Sequence, residues 1–241
     1  MIRMVVFDMA GTTIDEDNVV YKTLHQSILE VNIDVTLENV LLHGAGKEKK
    51  EAIKDILLAN GITSTEIIHN TFNNFSERLA DAYSILPLKE QMGALALFTA
   101  LRQMDVKVVL NTGYSKQTAE LILKKLGWQV GTQIDWLVTA SDVPNSRPFP
   151  DMILLAMQHF GIINAKEVVK VGDSIIDIEE GKNAGCGLSI GITTGAHNVA
   201  QLQSAKPDYI INDLMALWPL IQAENSQSQK NYNDEKNTII T

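Results

Sequence analysis

The chain has 241 residues, 45% of them hydrophobic and 20% charged, which suits a globular protein with one large domain or a core carrying an insert. A formal net charge of -9 and a pI near 5.0 argue against a nucleic-acid partner, whose recognition needs a basic face. The single cysteine, Cys186, allows neither an intrachain disulfide nor a thiolate metal cluster. No apolar run is long enough to span a bilayer, and MIRMVVFD leads straight into a strand, so the expectation is a cytoplasmic protein without a membrane partner.

In chain order, the first element is the short apolar strand MVVF at 4–7, running into DMAGTTID at 8–15. From about 17 to 86 the pattern is helical only. VVYKTLHQSILEVN, EKKEAIKDILLANG and STEIIHNTFNNFSERLADAYSIL carry apolar residues at helical spacing, punctuated by Gly44, Gly46 and Gly61. From 87 onward, buried-strand runs at 106–111, 135–140, 168–173 and 188–194 alternate with helical stretches near 89–104, 115–126, 149–160 and 175–184. PDYIIND at 207–213 is a weaker last strand, LMALWPLI a closing helix, and 223–241 a polar segment expected to be mobile.

This alternation predicts an α/β fold, a Rossmann-like, doubly wound parallel sheet. Its core comprises 1–16 and 87–222, and residues 17–86 form an all-helical cap inserted after the first strand. Ligands of such sheets gather at the carboxyl ends of the strands. That rule collects Asp8, Asn111-Thr112-Gly113, Ser141-Asp142 and Gly172-Asp173 into one acidic rim. Asp8 and Asp173 suit a hard cation such as Mg²⁺, with Asp177 one helical turn beyond to support them. Thr112 and Gly113, ahead of a helix, can offer a hydroxyl and amides to an anion, and Arg147 offers a cation matched to phosphate geometry.

The ordered set DMAGTT, NTG, Arg147 and GDSIID, with a helical insert after the first motif, resembles the haloacid dehalogenase superfamily over about residues 1–220. The resemblance implies that Asp8 is the nucleophile that forms an aspartyl-phosphate. It implies that Asp8, the Ala10 carbonyl and Asp173 hold Mg²⁺. Gly11 and Thr12 amides, Thr112, Gly113 and Arg147 would hold the phosphoryl oxygens. Most superfamily members carry a second aspartate where this chain has Ala10, and a lysine where it has Arg147. The missing aspartate is the usual general acid, a contribution typically worth about 10²–10⁴-fold.

The branch sharing Asp-x-Ala-Gly-Thr-Thr, the arginine and a DVPNSRPFP-like context (142–150) is phosphonoacetaldehyde hydrolase. There a cap lysine forms a Schiff base and the leaving carbon departs as an enamine, which needs no acid. That lysine follows a glycine by three residues, so the resemblance implies Gly46 with Lys49, or Gly44 with Lys47. A helical wheel sets Lys49 near the buried side marked by Ile53, Ile56 and Leu57, and Lys47 away from it. The branch has a histidine three residues after the lysine, where this chain has Ala52 in the Lys49 register and Lys50 in the other. His43 is nearby at another position. His25, His69, His159 and His197 read as surface or packing residues. The expected partner is a small phosphorylated or phosphonate metabolite, with a homodimer implied by the resemblance. Two rival readings are a phosphate monoesterase for a small metabolite and a non-catalytic binding protein that keeps the fold.

Overall fold

The computed structural model describes residues 1–227. A six-stranded, wholly parallel sheet has the order β5-β4-β1-β6-β7-β8. Its strands are β1 (Met4–Phe7), β4 (Lys107–Thr112), β5 (Trp136–Thr139), β6 (Val168–Gly172), β7 (Leu188–Ile192) and β8 (Tyr209–Ile211). The first strand is therefore interior, paired with β4 on one side (Val5 opposite Val108) and β6 on the other (Val5 opposite Val169).

Successive side chains of a strand face opposite sides of the sheet, and β1 supplies both faces from four residues. Val5 and Phe7 join one core layer with Val108 and Leu110 of β4 and with Leu97 and Phe98 of α5 (Ala94–Gln103). Met4 and Val6 join the other, with Val109, Val138 and Met152, Ile153 and Ala156 of α7 (Asp151–His159). Because both faces are covered, the strand reads as a continuous apolar run. α6 (Lys116–Leu126) and α8 (Ile175–Asn183) follow β4 and β6. Ser115 caps α6 by accepting from Thr118 N–H, which fixes the β4–α6 turn.

Four helices occupy the chain between β1 and β4: α1 (Val19–Leu29), α2 (Leu37–Gly44), α3 (Lys49–Ala59) and α4 (Thr65–Ile85). They pack on one another through Leu24, Ile28, Val40, Ile53, Ile56, Leu57, Phe75 and Leu79, in a core continuous with one face of the sheet. A two-stranded antiparallel pair, β2 (Ile14–Asp15) with β3 (Lys89–Glu90), brackets the block where it leaves and rejoins the sheet. Gln91 N–H closes the root by donating to Thr13 O at 2.9 Å.

Several short elements differ from the sequence expectation. α2 begins at a Thr36 cap and has only eight residues, too few to show a full apolar stripe. Residues 89–90 are strand where a helix is predicted, since their pairing with β2 is a long-range contact that no local pattern reports. α9 (Val199–Ser204), six residues under an Asn198 capping box, was not expected. The closing helix runs over 217–227, five residues into the segment predicted as a tail, and Ile2 N–H donates to Asn225 Oδ1 at 2.6 Å. The rest of that predicted tail, 228–241, lies outside the described residues. Among the described residues no helix is long and apolar enough to cross a membrane.

Candidate active site

β1 ends at Phe7, so Asp8 is delivered to the carboxyl edge of the sheet, where it is buried. β6 ends at Gly172 and delivers Asp173 beside it. Asp177 follows on the first turn of α8, whose Ser174 cap and Asp177 form a capping box. Carboxylate oxygens of Asp8, Asp173 and Asp177 lie within 4.8 Å of one another. Burial pushes Asp8 and Asp173 above the usual carboxylate range, helped by repulsion from Asp177 at Asp8 and from Asp8 and Asp177 at Asp173, with Arg147 partly offsetting this at Asp8.

Arg147 crosses under this cluster with its side chain fully buried. Its Nη1 donates to Asp8 Oδ1 at 2.7 Å and lies 3.0 Å from Asp177 Oδ1. Nε donates to Glu180 Oε2 at 2.9 Å, and Nη2 to Asn111 O at 2.7 Å and Asn111 Oδ1 at 2.6 Å. Burial opposes its charge, but Asp177, Asp8 and Glu180 outweigh that and raise its pKa. The arginine predicted as a phosphoryl clamp is thus first a clamp on Asp8, because protein oxygens already engage each of its donor nitrogens.

Lys170 of β6 completes the layer. It is fully buried, donates to Asn111 Oδ1 at 2.6 Å, and lies 2.9 Å from Asp177 Oδ1 and 3.3 Å from Glu180 Oε2. Asn111 in turn donates to both Glu180 carboxylate oxygens, at 2.8 and 2.9 Å. Four carboxylates (Asp8, Asp173, Asp177, Glu180) therefore share the region with two fully paired cations. The remaining negative charge fits a divalent cation at Asp8 and Asp173, since Asp177 spends its oxygens on Arg147, Lys170 and Ser174 and its pKa is lowered. Asp177, expected to support the ion rather than hold it, lies in the same carboxylate cluster as Asp8 and Asp173.

The loop after Asp8 folds back on itself. Gly11 N–H donates to Ile14 O at 2.9 Å and Thr12 N–H to Met9 O at 3.3 Å, so the two amides expected to bind a phosphoryl group serve the turn. No hydrogen bond among the described residues uses the amides of Met9 and Ala10, which are the donors this loop leaves open. Thr12 Oγ1 is also buried without a partner among those residues, whereas Thr112 Oγ1 accepts from Tyr114 N–H at 3.2 Å. Ser141 and Asp142 are not part of the cluster: Asp142 caps a short turn through Thr139, and Ser141 accepts from Lys116 N–H.

Over this edge lies the α2–α3 loop. Gly46 has φ +71, and a Cβ there would collide with Ser174 and Ile176, so only glycine lets the loop reach β6–α8. A Cβ on Gly113 would fall 2.7 Å from Lys47 O, the same close approach from the β4 side. Lys49 opens α3, behind the Glu48 cap that accepts from Lys50 and Glu51 amides. With Ala52, Ile53, Ile56 and Leu57 buried on the same face, Lys49 turns inward, whereas Lys47 turns out to Asp55 at 2.8 Å. Lys49 Nζ sits 5.1 Å from the Tyr21 ring centroid and 5.8 Å from that of Tyr114, and donates to Lys47 O at 2.8 Å. Burial lowers its pKa; Asp8 and then Glu16 oppose the shift.

A cleft of about 360 Å³ opens beside Lys49, walled by Phe72, Phe75, Leu79 and Tyr83 of α4 and by Gly113 and Tyr114. A second hollow, about 450 Å³ around Leu95, Phe98 and Arg102, shares none of these residues. His43 is exposed at the end of α2. His25 bonds to Val35 O and His159 stacks on Trp136, while buried His197 accepts from Ile175 N–H. Lys170, Glu180, Glu16, Tyr21, Tyr83 and Tyr114 belong to no motif in the sequence, and the fold brings them to this edge. A charged residue inside VVKVG was the visible signal for Lys170, because a strand buried on both faces tolerates lysine only with partners.

A carboxylate at an interior strand's end, a neighbouring acidic cluster suited to a cation, and a helical insert bearing a buried amine make up a candidate hydrolase site on an α/β sheet. Residues 5–190 match the family model described as haloacid dehalogenase-like hydrolase, and the chain belongs to that family. It is related to phosphonoacetaldehyde hydrolases. That of Bacillus cereus (strain B4264) is 31% identical over 208 residues, 81% of this chain and 77% of the relative. The phosphonoacetaldehyde hydrolase-like protein from Oleispira antarctica superposes with a TM-score of 0.81 at 23% identity, covering 94% of this chain and 93% of that one. A predicted phosphoglycolate phosphatase from Haemophilus somnus 129PT gives 0.72 at 18%, covering 91% and 98%. At these identities the superpositions show a common fold.

Proposed function

We propose that this hydrolase cleaves the C–P bond of a small phosphonate bearing an aldehyde, through a Schiff base on Lys49 and an aspartyl-phosphate on Asp8. The observation that carries the reading is the Lys49 amine, buried against two tyrosine rings, with Asp8 as the charge that acts on it most strongly. A lysine that must be neutral to attack a carbonyl is favoured by such burial, and by a place at the positive end of α3.

In this mechanism the Lys49 nitrogen adds to the aldehyde carbon and water leaves, giving an iminium. Asp8 Oδ then attacks phosphorus, the C–P bond breaks, and its electron pair passes through carbon to the iminium nitrogen as an enamine. Because the leaving carbon is stabilised by that nitrogen, no acid is needed where Ala10 stands. Protonation of the enamine carbon and hydrolysis free acetaldehyde, and water releases phosphate from Asp8. Mg²⁺ held by Asp8, Asp173 and the Ala10 carbonyl would supply charge neutralisation at the phosphoryl oxygens. The open amides of Met9 and Ala10, the Thr12 hydroxyl, and the Thr112–Gly113 turn would contact the same oxygens. Arg147 aims Asp8 and draws it toward its ionised form against burial, and the helical cap walls the cleft that receives the organic part.

The test is release of acetaldehyde and inorganic phosphate from phosphonoacetaldehyde with Mg²⁺, alongside Lys49→Ala, Lys47→Ala and a panel of phosphomonoesters. Stoichiometric release lost only in Lys49→Ala supports the reading. Phosphate from monoesters alone, unaffected by Lys49→Ala, replaces it with a phosphatase.

A further inference from the structure

Among the described residues, Glu16 is the one buried acidic group at the insert's root that the proposed mechanism leaves idle, and its surroundings are unusual. It stands just after β2 and is only 7% exposed. Its Oε2 accepts from the Tyr83 hydroxyl and, at 3.1 Å, from the Tyr114 hydroxyl; those two hydroxyls are 2.8 Å apart. Its Oε1 is buried and has no hydrogen-bond partner among the described residues. Tyr114 is the ring under the Lys49 amine, and Tyr83 and Tyr114 both line the cleft that opens at Lys49.

A buried carboxylate with one oxygen unsatisfied costs stability unless it has work or an intermittent partner. A glutamine would accept the same two tyrosine hydrogen bonds, whereas a carboxylate also faces the Val20 N–H at the start of α1 and the Lys49 amine. The groups facing Glu16 are Tyr83 from α4, Tyr114 after β4, Lys49 from α3, and the Val20 N–H and Tyr21 from α1. Of these, Lys49 is the only cation.

We infer that Glu16 is the proton acceptor and donor of Lys49, held in place by Tyr83 and Tyr114. The inference rests on the Schiff-base reading above. The ammonium of Lys49 passes one proton to the Glu16 carboxylate through an intervening water beside Tyr114, leaving a neutral amine and a carboxylic acid. The amine nitrogen forms a bond to the aldehyde carbon, and one amine proton moves to the former carbonyl oxygen, giving a carbinolamine. Glu16 then returns its proton to that hydroxyl, the C–O bond breaks, and water leaves. The products are the iminium and the Glu16 carboxylate, so charge and atoms balance and Glu16 is ready for the reverse sequence during enamine hydrolysis. Burial pushes the Glu16 carboxyl up to about 7, against the pull of Tyr83, Tyr114 and Lys49, where either form is accessible near neutrality.

The test traps the iminium with cyanoborohydride in the presence of phosphonoacetaldehyde and locates the adduct by mass spectrometry. Rates are compared between wild type and Glu16→Gln across about pH 5.5 to 8.5. The variant-to-wild-type ratio at each pH cancels the reductant's own pH dependence. Expected is trapping at Lys49, slowed on the order of 10²-fold in Glu16→Gln, with the wild-type limb near neutrality missing. Equal rates and an unchanged profile in Glu16→Gln would overturn the inference while leaving the Schiff base standing. No adduct in the wild type would remove the Schiff base and the inference together. Should Glu16→Gln fail to fold, Tyr114→Phe keeps the ring under Lys49 and removes one hydrogen bond to Glu16. A displaced limb in that variant supports the relay, and an unmoved one overturns it.

Discussion

The sheet edge and the insert meet at one site but are built on opposite principles. At the sheet edge, Asp8, Arg147, Asn111, Lys170, Asp177 and Glu180 form a buried lattice in which each cation has at least two anionic neighbours. On the insert side, Lys49 has no carboxylate within ion-pair distance among the described residues, only two aromatic rings and a backbone carbonyl. Fixed, compensated charge holds groups in place for an anion with several oxygens. A desolvated amine is instead kept short of its ordinary affinity for protons, which is what a nucleophile toward carbon needs. In the proposed reaction, phosphorus would sit against one wall and the organic carbon against the other.

The largest effect should come from breaking the first wall at its apex. Asp8→Asn keeps a hydrogen-bond acceptor for Arg147 but cannot form the acyl-phosphate, and turnover should fall by at least about 10³-fold with circular dichroism unchanged. Activity near that of the wild type would end the nucleophile assignment. Lys49→Ala should cost C–P cleavage a comparable factor of roughly 10³. Lys47→Ala, which removes only a half-exposed pair with Asp55, should stay within about twofold. Equal losses in both lysine variants would mean the cap loop as a whole, rather than the Lys49 amine, is what matters.

How much of this was legible beforehand divides along the same line. The succession of strands and helices along the chain, the helical insert, the strand-end places of Asp8 and Asp173 and the inward face of Lys49 could be read because strand runs, motif spacing and helical periodicity are local patterns. Lys49 in particular followed from sharing a face with Ile53, Ile56 and Leu57. What could not be read are partnerships across large separations. Glu180 meets Asn111 from 69 positions away and Tyr83 meets Glu16 from 67. Likewise, the amides of Gly11 and Thr12 looked available because a turn's internal hydrogen bonds are invisible in a motif.

The two walls should also differ in what their charges do for stability. Lys170→Met would leave Asp177 and Glu180 with Arg147 as their only full cation, at positions fully closed to solvent. Removing one partner of a buried ionic network typically costs about 3–5 kcal/mol. Urea unfolding should register a loss of that size, and a change under about 1 kcal/mol would show that water enters the layer and screens it.

Glu16→Gln should do the reverse, and by less. The Glu16 carboxyl, near 4.5 in the absence of burial, is pushed up to about 7 in the fold, so between those values the folded chain binds more protons than the unfolded one. Stability from this group is therefore complete below pH about 4.5 and is lost as pH rises through about 7, to a total of about 3 kcal/mol. Glutamine carries no such charge while still accepting from Tyr83 and Tyr114. Measured by thermal unfolding, Glu16→Gln should melt higher than the wild type at pH ~8 and close to it at pH ~5. A melting difference that does not vary with pH would place the Glu16 titration elsewhere. It would also leave the insert wall as neutral in charge as its aromatic lining suggests.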